Sequence, residues 1–323
     1  MDNFKKIGVT ALAGTLASVS AAQAGEMTVT GSAALTYVQK DATEMTGNPI
    51  GMSKDLTFKG SGELDNGWTV SVMHDLTDAA AWASSSITIG MGSLGTIVVD
   101  QGTGADYGSA LDNVVPIAFE EADAGMDTGL KVSGGAIDPD GAITYKLPAF
   151  SGLQLGGSYQ PRNGATSNAD GATNEGVGKK AWEVGADWSP EMVPGLRVGY
   201  VSGQCEDCNS GGKDTDEETL FGTYAYGPLS IGYQVAEVDN GTTVYDSDIY
   251  GVSFNVNDAL SVSYQYGETE GYGGGNNTAE FEGISAAYNI GPMAISFTDN
   301  SATNMNGTTN DDDNRELNLS MSF

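Results

Sequence analysis

Eight carboxylates, Asp106, Asp112, Glu120, Glu121, Asp123, Asp127, Asp138 and Asp140, fall within residues 102–140, against one cation, Lys131. Two like charges about 4 Å apart interact by roughly 4 kcal/mol at an effective dielectric of ~20, so carboxylates at this density attract counter-cations or take up protons. The same stretch carries an apolar run, Leu111, Val114, Val115, Pro116, Ile117, Ala118 and Phe119, which gives it something to pack. Connections longer than about 12–15 residues inside a compact domain are uncommon, and those that occur are often functional. The expectation is a loop that folds into a space enclosed by the rest of the chain. Residues 114–119 would pack on the inner wall, leaving Asp106, Asp112, Glu120, Glu121 and Asp123 at its narrowest point.

Other reactive residues point to little chemistry. Cys205 and Cys208 form a CxxC, which could be redox-active or half a metal site. With no second pair and a single histidine, His74, it reads as a disulfide that staples a loop. No P-loop, HExxH or GxSxG occurs, and His74 has no Ser/Asp partners to complete a triad, so no enzymatic activity and no cofactor are expected. The acidic run Asn310-Asp-Asp-Asp-Asn314 could bind Ca²⁺ loosely, but such a run is more often a solvated loop.

The first 24 residues have the layout of an export signal. Lys5 and Lys6 form a basic start, residues 7–17 are apolar and small, and Ala22-Gln23-Ala24 is an A-x-A cleavage site. The formal charge of −30 argues against nucleic acid, which requires clustered Lys and Arg. No later apolar window is long enough for a membrane-spanning helix. A β-barrel remains open, because its strands hide their hydrophobicity in alternate residues.

From residue 26 onward the chain alternates with period two, in segments broken by turn signals. Sixteen strands are expected, at 27–37, 54–64, 68–73, 84–91, 95–101, 141–147, 153–160, 180–188, 196–203, 217–226, 229–237, 245–256, 260–267, 278–290, 293–298 and 314–323. Connections after even-numbered strands are short, as at Asp65-Asn66 and Gly227-Pro228; those after odd-numbered strands are longer and polar. Short turns at one rim and long loops at the other describe an outer-membrane barrel. The faces agree. Leu229, Ile231, Tyr233 and Val235 oppose Ser230, Gly232, Gln234 and Ala236, one set for lipid and the other for a watery lumen. Trp188, Tyr200, Tyr224, Tyr226, Tyr266 and Tyr288 lie near strand ends, as interfacial girdles do.

On these features the chain resembles a Gram-negative general diffusion porin. The resemblance runs from the signal, through the longest loop after strand five, to the last strand, Glu316-Leu-Asn-Leu-Ser-Met-Ser-Phe323. Gly60-Ser-Gly-Glu-Leu-Asp-Asn-Gly67 and Tyr145-Lys-Leu-Pro-Ala-Phe-Ser-Gly-Leu-Gln154 are similar to porin stretches. It implies an all-β, 16-stranded antiparallel transmembrane barrel over residues 25–323, with residues 102–140 as an inward-folded constriction loop. It also implies a homotrimer among outer-membrane lipid and lipopolysaccharide, assembled by the barrel-assembly machinery through Phe323. Family members often set an arginine cluster against the acidic loop, whereas strands one to five here contain no arginine. Lys59, Lys146 and Arg197 are the cations expected to face the loop across the lumen. The implied function is a passive, cation-preferring diffusion channel, because carboxylates favour cations in a pore. Two alternatives stay open: a substrate-specific channel, and an acidic surface or adhesion barrel with a plugged lumen.

Overall fold

The first strand pairs with the last, Leu35 opposite Leu319 and Tyr37 opposite Leu317, and this closes the sheet on itself. The computed structural model describes residues 24–40, 48–77, 82–111, 114–126, 128–129, 131, 137, 141–162, 178–209, 211–272 and 277–322. The strands are β1 (Ala24–Lys40), β2 (Ile50–Glu63), β3 (Thr69–Leu76), β4 (Trp82–Gly90), β5 (Thr96–Gln101), β6 (Ala142–Lys146), β7 (Leu153–Gln160) and β8 (Ala181–Trp188). They continue as β9 (Leu196–Asn209), β10 (Lys213–Tyr226), β11 (Leu229–Asp239), β12 (Val244–Asn255), β13 (Leu260–Glu270), β14 (Ala279–Ile290), β15 (Met293–Thr303) and β16 (Asp312–Ser322). Each is hydrogen-bonded to its sequence neighbours in one closed antiparallel barrel. Closure leaves no edge with unpaired backbone groups, the condition for a sheet to sit in lipid. Residues 1–23 and Phe323 lie outside the described residues, so the export signal and the terminal aromatic remain sequence readings.

The alternation sorts the two faces as expected. Met27, Val29, Ile50, Met52, Leu220, Ile231, Tyr250, Ile284 and Leu317 are exposed on the outside of the barrel. Inside stand Gln234, Gln265, Ser285, Thr298 and Asn300, all buried. On β10–β15 the apolar outer face ends in carboxylates at paired positions: Glu218 opposite Glu237, Glu237 opposite Asp246, Asp246 opposite Glu270, and Asp248 opposite Glu268. Tyrosines bridge the two zones. The Tyr264 hydroxyl donates to Glu282 at 2.6 Å, Tyr266 to Glu268 at 2.9 Å, and Tyr233 to Asp248. Such amphipathic rings mark the upper limit of a lipid-facing band. Trp188, Tyr224, Tyr226 and Tyr288 mark the short-turn rim.

Two strand expectations need correction. The third strand does not stop at residue 73: it runs to Leu76, which brings His74 and Asp75 into the sheet. The ninth and tenth form one tall hairpin over 196–209 and 213–226, so Cys205 and Cys208 sit inside β9 and not in a separate loop. Above the lipid band both faces of a hairpin are wet, and the alternation used to count strands is lost there. The cysteines are disulfide-bonded. Cys205 packs with Ile137 of the long loop, Ala142 and Ala181.

Glycines on the inner wall make room for that loop. A Cβ at Gly156 or Gly185 would meet the Tyr107 ring, and one at Gly232 or Gly251 would meet Pro116 or Val115. Overpacking a fitted contact costs about 1–3 kcal/mol. Gly251→Val should therefore lift Val115 from the wall and give larger, noisier single-channel currents. Wild-type conductance steps in that variant would contradict the seating.

Candidate pore constriction

The loop that follows β5 begins with a turn held by Asp100. This buried carboxylate accepts the Thr103 amide at 3.0 Å, the Ala105 amide at 2.8 Å and the Thr103 hydroxyl. Those bonds turn the chain into the barrel instead of up into water. Three consecutive amides then dock: Tyr107 N donates to Ser158 Oγ at 2.7 Å, Gly108 N to Glu183 Oε1 at 2.7 Å, and Ser109 N to Asp106 Oδ2 at 2.9 Å. Leu111 and Tyr107 pack with Val201 and Phe221.

From there the loop crosses the inner wall strand by strand. Val114 N donates to Gln234 Oε1 at 3.1 Å, Ala118 N to Ser263 Oγ at 2.9 Å, Phe119 N to Ser285 Oγ at 3.2 Å, and Ala122 N to Gln265 Oε1 at 2.7 Å. Asn300 Nδ2 donates to Glu121 O at 3.1 Å and Asn314 Nδ2 to Ala124 O at 2.9 Å. Val115 and Ala122 join Ile249, Phe281 and Ala302 in an apolar cluster inside the lumen. Ser158, Glu183, Gln234, Gln265 and Ser285 each stand five residues from the short-turn ends of their strands, Leu153, Trp188, Leu229, Leu260 and Ile290. At about 3.3 Å per residue that is ~16 Å along the strand. The loop is thus a level shelf over roughly half the circumference.

The proposed site residues divide. Glu120 and Glu121 are half-buried on the shelf, and Glu120 faces Glu316 of β16. Burial, then the Glu316 and Glu121 charges, push the Glu120 carboxyl up to about 7. Asp123 is half-buried, and burial raises it above the usual carboxylate range. Asp106 is wholly buried, so it does not line the lumen: its carboxylate ties down the turn below the shelf. Burial raises it too, against the lowering effect of the Ser109 bonds. Asp112, with Asp127, Asp138 and Asp140, lies outside the described residues.

The cations are placed differently from the expectation. Lys146 ends β6 with its Nζ 5.8 Å from the Tyr107 ring centre. Arg197, the second residue of β9, is bound to Asp187: Nε lies 3.1 and 2.9 Å from the two carboxylate oxygens and Nη2 lies 2.7 Å from Oδ2. Both sit near the short-turn rim on the side where the loop docks, and Arg197 is neutralised. Lys59 is an exposed residue of β2, on the face of the strand that also carries Thr57 and Asp55. Asp75 and Glu316 are further carboxylates on the lumen face. Asp75 lies in the part of β3 beyond the expected end at residue 73 and accepts the Thr57 and Ser84 hydroxyls at 2.7 and 2.9 Å. Glu316 stands on the inward side of β16, opposite Val38 and Thr298.

Among the described residues no group of three or more His, Cys, Asp or Glu is placed to hold a metal ion. Asp311 accepts the Asn304 amide at 3.2 Å, so the 310–314 run is partly engaged by its own hairpin.

A closed sixteen-stranded barrel, apolar outside, polar inside and narrowed by an inward shelf, defines a membrane-spanning channel. The family model for Gram-negative porins matches residues 8–308, and the chain belongs to that family. The protein is therefore a channel of the outer membrane. Solved structures agree in fold. An anion-selective porin from Comamonas acidovorans has 16% identity and a TM-score of 0.69, with 92% of this chain and 99% of that one covered. OmpF of Salmonella typhi in complex with daunomycin has 13% identity and a TM-score of 0.70, covering 92% and 97%. A mutant Rh. blastica porin has 12% identity and a TM-score of 0.63, covering 92% and 100%. No curated relative matches the chain by sequence.

A carboxyl near 7 gives the shelf a pH dependence of known sign. Below that value Glu120 is protonated and neutral; above it the charge appears. Preference for K⁺ over Cl⁻ should rise as pH goes from 6 to 8, and Glu120→Gln should flatten this part of the profile. Reversal potentials against pH measure it.

Proposed function

We propose that this porin is a passive diffusion channel for small hydrophilic solutes and ions with a preference for cations. The observation that carries this reading is the uneven pairing of lumen charges. Arg197 is consumed by Asp187 and Lys146 lies over Tyr107, while Glu120, Glu121 and Glu316 gather at the shelf. The wall of β1–β5 offers mainly hydroxyls there, such as Thr30, Ser32, Thr57, Ser71 and Thr88, with Lys40 at the end of β1 and Lys59 on β2 as its inward cations among the described residues. Net negative potential in a water-filled passage raises cation occupancy and lowers that of anions. Screening at physiological salt confines the effect to charges within about 8 Å of the ion's path, so the preference should be modest and stronger in dilute salt.

The reading is tested by reversal potential in a KCl gradient. Wild type should favour K⁺, and Glu120→Gln, Glu121→Gln and Asp123→Asn together should lose most of that preference while still conducting. An unchanged preference would move selectivity to other carboxylates and overturn the role of the shelf.

The proposed assembly is a homotrimer. Among the described residues from Met27 onward, the outward face of β1–β5 carries apolar side chains and no carboxylate, unlike β10–β15. That face can pack against another copy with Lys54 as its one charged side chain among the described residues, against the several carboxylates that β10–β15 would bury. Unheated detergent samples should migrate as a large species and fall on boiling to a single chain, lighter than the 33.3 kDa of the full sequence by the cleaved signal. A monomer under gentle extraction would contradict the trimer.

A further inference from the structure

At the foot of the shelf two carboxylates are shut away from water: Asp106 is 0% exposed and Glu183, from β8, is 1% exposed. They accept from adjacent amides of the same turn, Ser109 N to Asp106 Oδ2 at 2.9 Å and Gly108 N to Glu183 Oε1 at 2.7 Å. Each keeps one further oxygen, Asp106 Oδ1 and Glu183 Oε2, that is buried without a hydrogen-bond partner. Two ionised carboxylates so placed would each bury an uncompensated charge beside the other, an arrangement that proteins relieve by protonation or ion binding.

The charged and titratable groups around them do not supply the missing compensation. On the loop, Asp100 is a third buried carboxylate, its oxygens filled by Thr103 and Ala105, and the Tyr107 hydroxyl donates to Gln154 O at 3.1 Å. On β6, Lys146 Nζ lies 5.8 Å from the centre of the Tyr107 ring, and on β7 Ser158, which shares a 2.9 Å hydrogen bond with Thr144, also reaches Glu183 but leaves its Oε2 without a partner. On β8 and β9, Asp187 and Arg197 are occupied with each other.

We propose that Asp106 and Glu183 bind one proton between them, as a carboxylic acid and a carboxylate, and that this proton latches the root of the loop to β8. The acid's O–H would use an oxygen that now lacks a partner, and the pair would carry one charge instead of two. Such a pair titrates as a unit, not as two independent groups. Burial already places Asp106 above the ordinary carboxylate range. The sign follows. A proton held more tightly in the docked loop than in the free one stabilises docking fully below the ordinary carboxylate pKa, and this contribution is lost as pH rises through the docked value. The latch is strongest in acid and releases its proton to bulk water on the alkaline side.

Infrared spectroscopy of the folded barrel in D₂O at neutral pH tests the proton directly. The wild-type spectrum minus that of Glu183→Gln, and minus that of Asp106→Asn, should each contain one protonated-carboxyl C=O band. In either variant an amide N–H takes over the acid's hydrogen bond and the remaining carboxylate ionises. Glu120 contributes equally to all three spectra and cancels. In single-channel recordings the wild type should become noisier as pH rises, whereas the two amide variants stay quiet. A difference spectrum without the band, a band that survives in one single variant, or one cation per chain found by elemental analysis would each overturn the shared proton. This test is independent of ion preference: a barrel that failed to favour K⁺ would still show the band.

Discussion

Backbone N–H groups without a partner inside a barrel are the problem that the long loop has to solve, and side chains of the wall solve it. Ser158, Glu183, Gln234, Ser263, Gln265 and Ser285 each accept one amide of the loop. A buried, unmade hydrogen bond costs about 1–3 kcal/mol, so a loop of this kind stays in the lumen only if nearly all such bonds are made. The regular spacing of the acceptors follows from the sheet. Antiparallel strands with matched short turns bring equivalent positions to one height, and a level row of Gln, Ser and Glu becomes a ledge. The apolar pegs Tyr107, Leu111, Val115 and Ala122 then fill the places where the wall presents glycine or other small contacts.

That ledge also decides where charge can act. Carboxylates pinned below it, Asp100 and Asp106, serve the architecture and are hidden from ions. Carboxylates on its rim, Glu120 and Glu121, lie half in water. The distinction is one of burial: the eight acids of the loop are of two residue types in one short stretch. Outside the barrel a second acidic population stands above the lipid band, where opposed pairs such as Glu218 and Glu237 tolerate each other in water. The large negative charge of the chain is therefore distributed among a lumen rim, a buried root and an outer belt, each with a different physical consequence.

Much of the barrel was legible in the sequence because lipid imposes a strict rule: alternate side chains must be apolar, and no strand may have an edge. The sixteen strands and the parity of their turns follow from that rule. It fails where lipid ends. The top of the β9–β10 hairpin, with Cys205 and Cys208, is wet on both faces and lost its alternation, so the strands looked shorter than they are. The inward loop was legible from its length, its acids and its apolar run. What the sequence could not show was direction. Asp106 and Glu120 are both acids in the same loop, and only the wall partners, Ser158 and Glu183 for one region and Ser285 and Asn300 for the other, separate the anchor from the rim. Arg197 was visible as a lumen cation, but its capture by Asp187 depends on two strands meeting in register.

The central claim is that the loop lies flat on the inner wall at mid-height and leaves a passage beside it. The amide of Ala118 bonded to Ser263 Oγ at 2.9 Å offers a direct test. With Ala118→Cys and Ser263→Cys introduced together, the two thiols should join on mild oxidation in the intact outer membrane. Conductance should remain at the wild-type level, because the cross-link only fixes a contact already made. Failure to cross-link, or a cross-linked channel whose conductance departs markedly from wild type, would contradict the account.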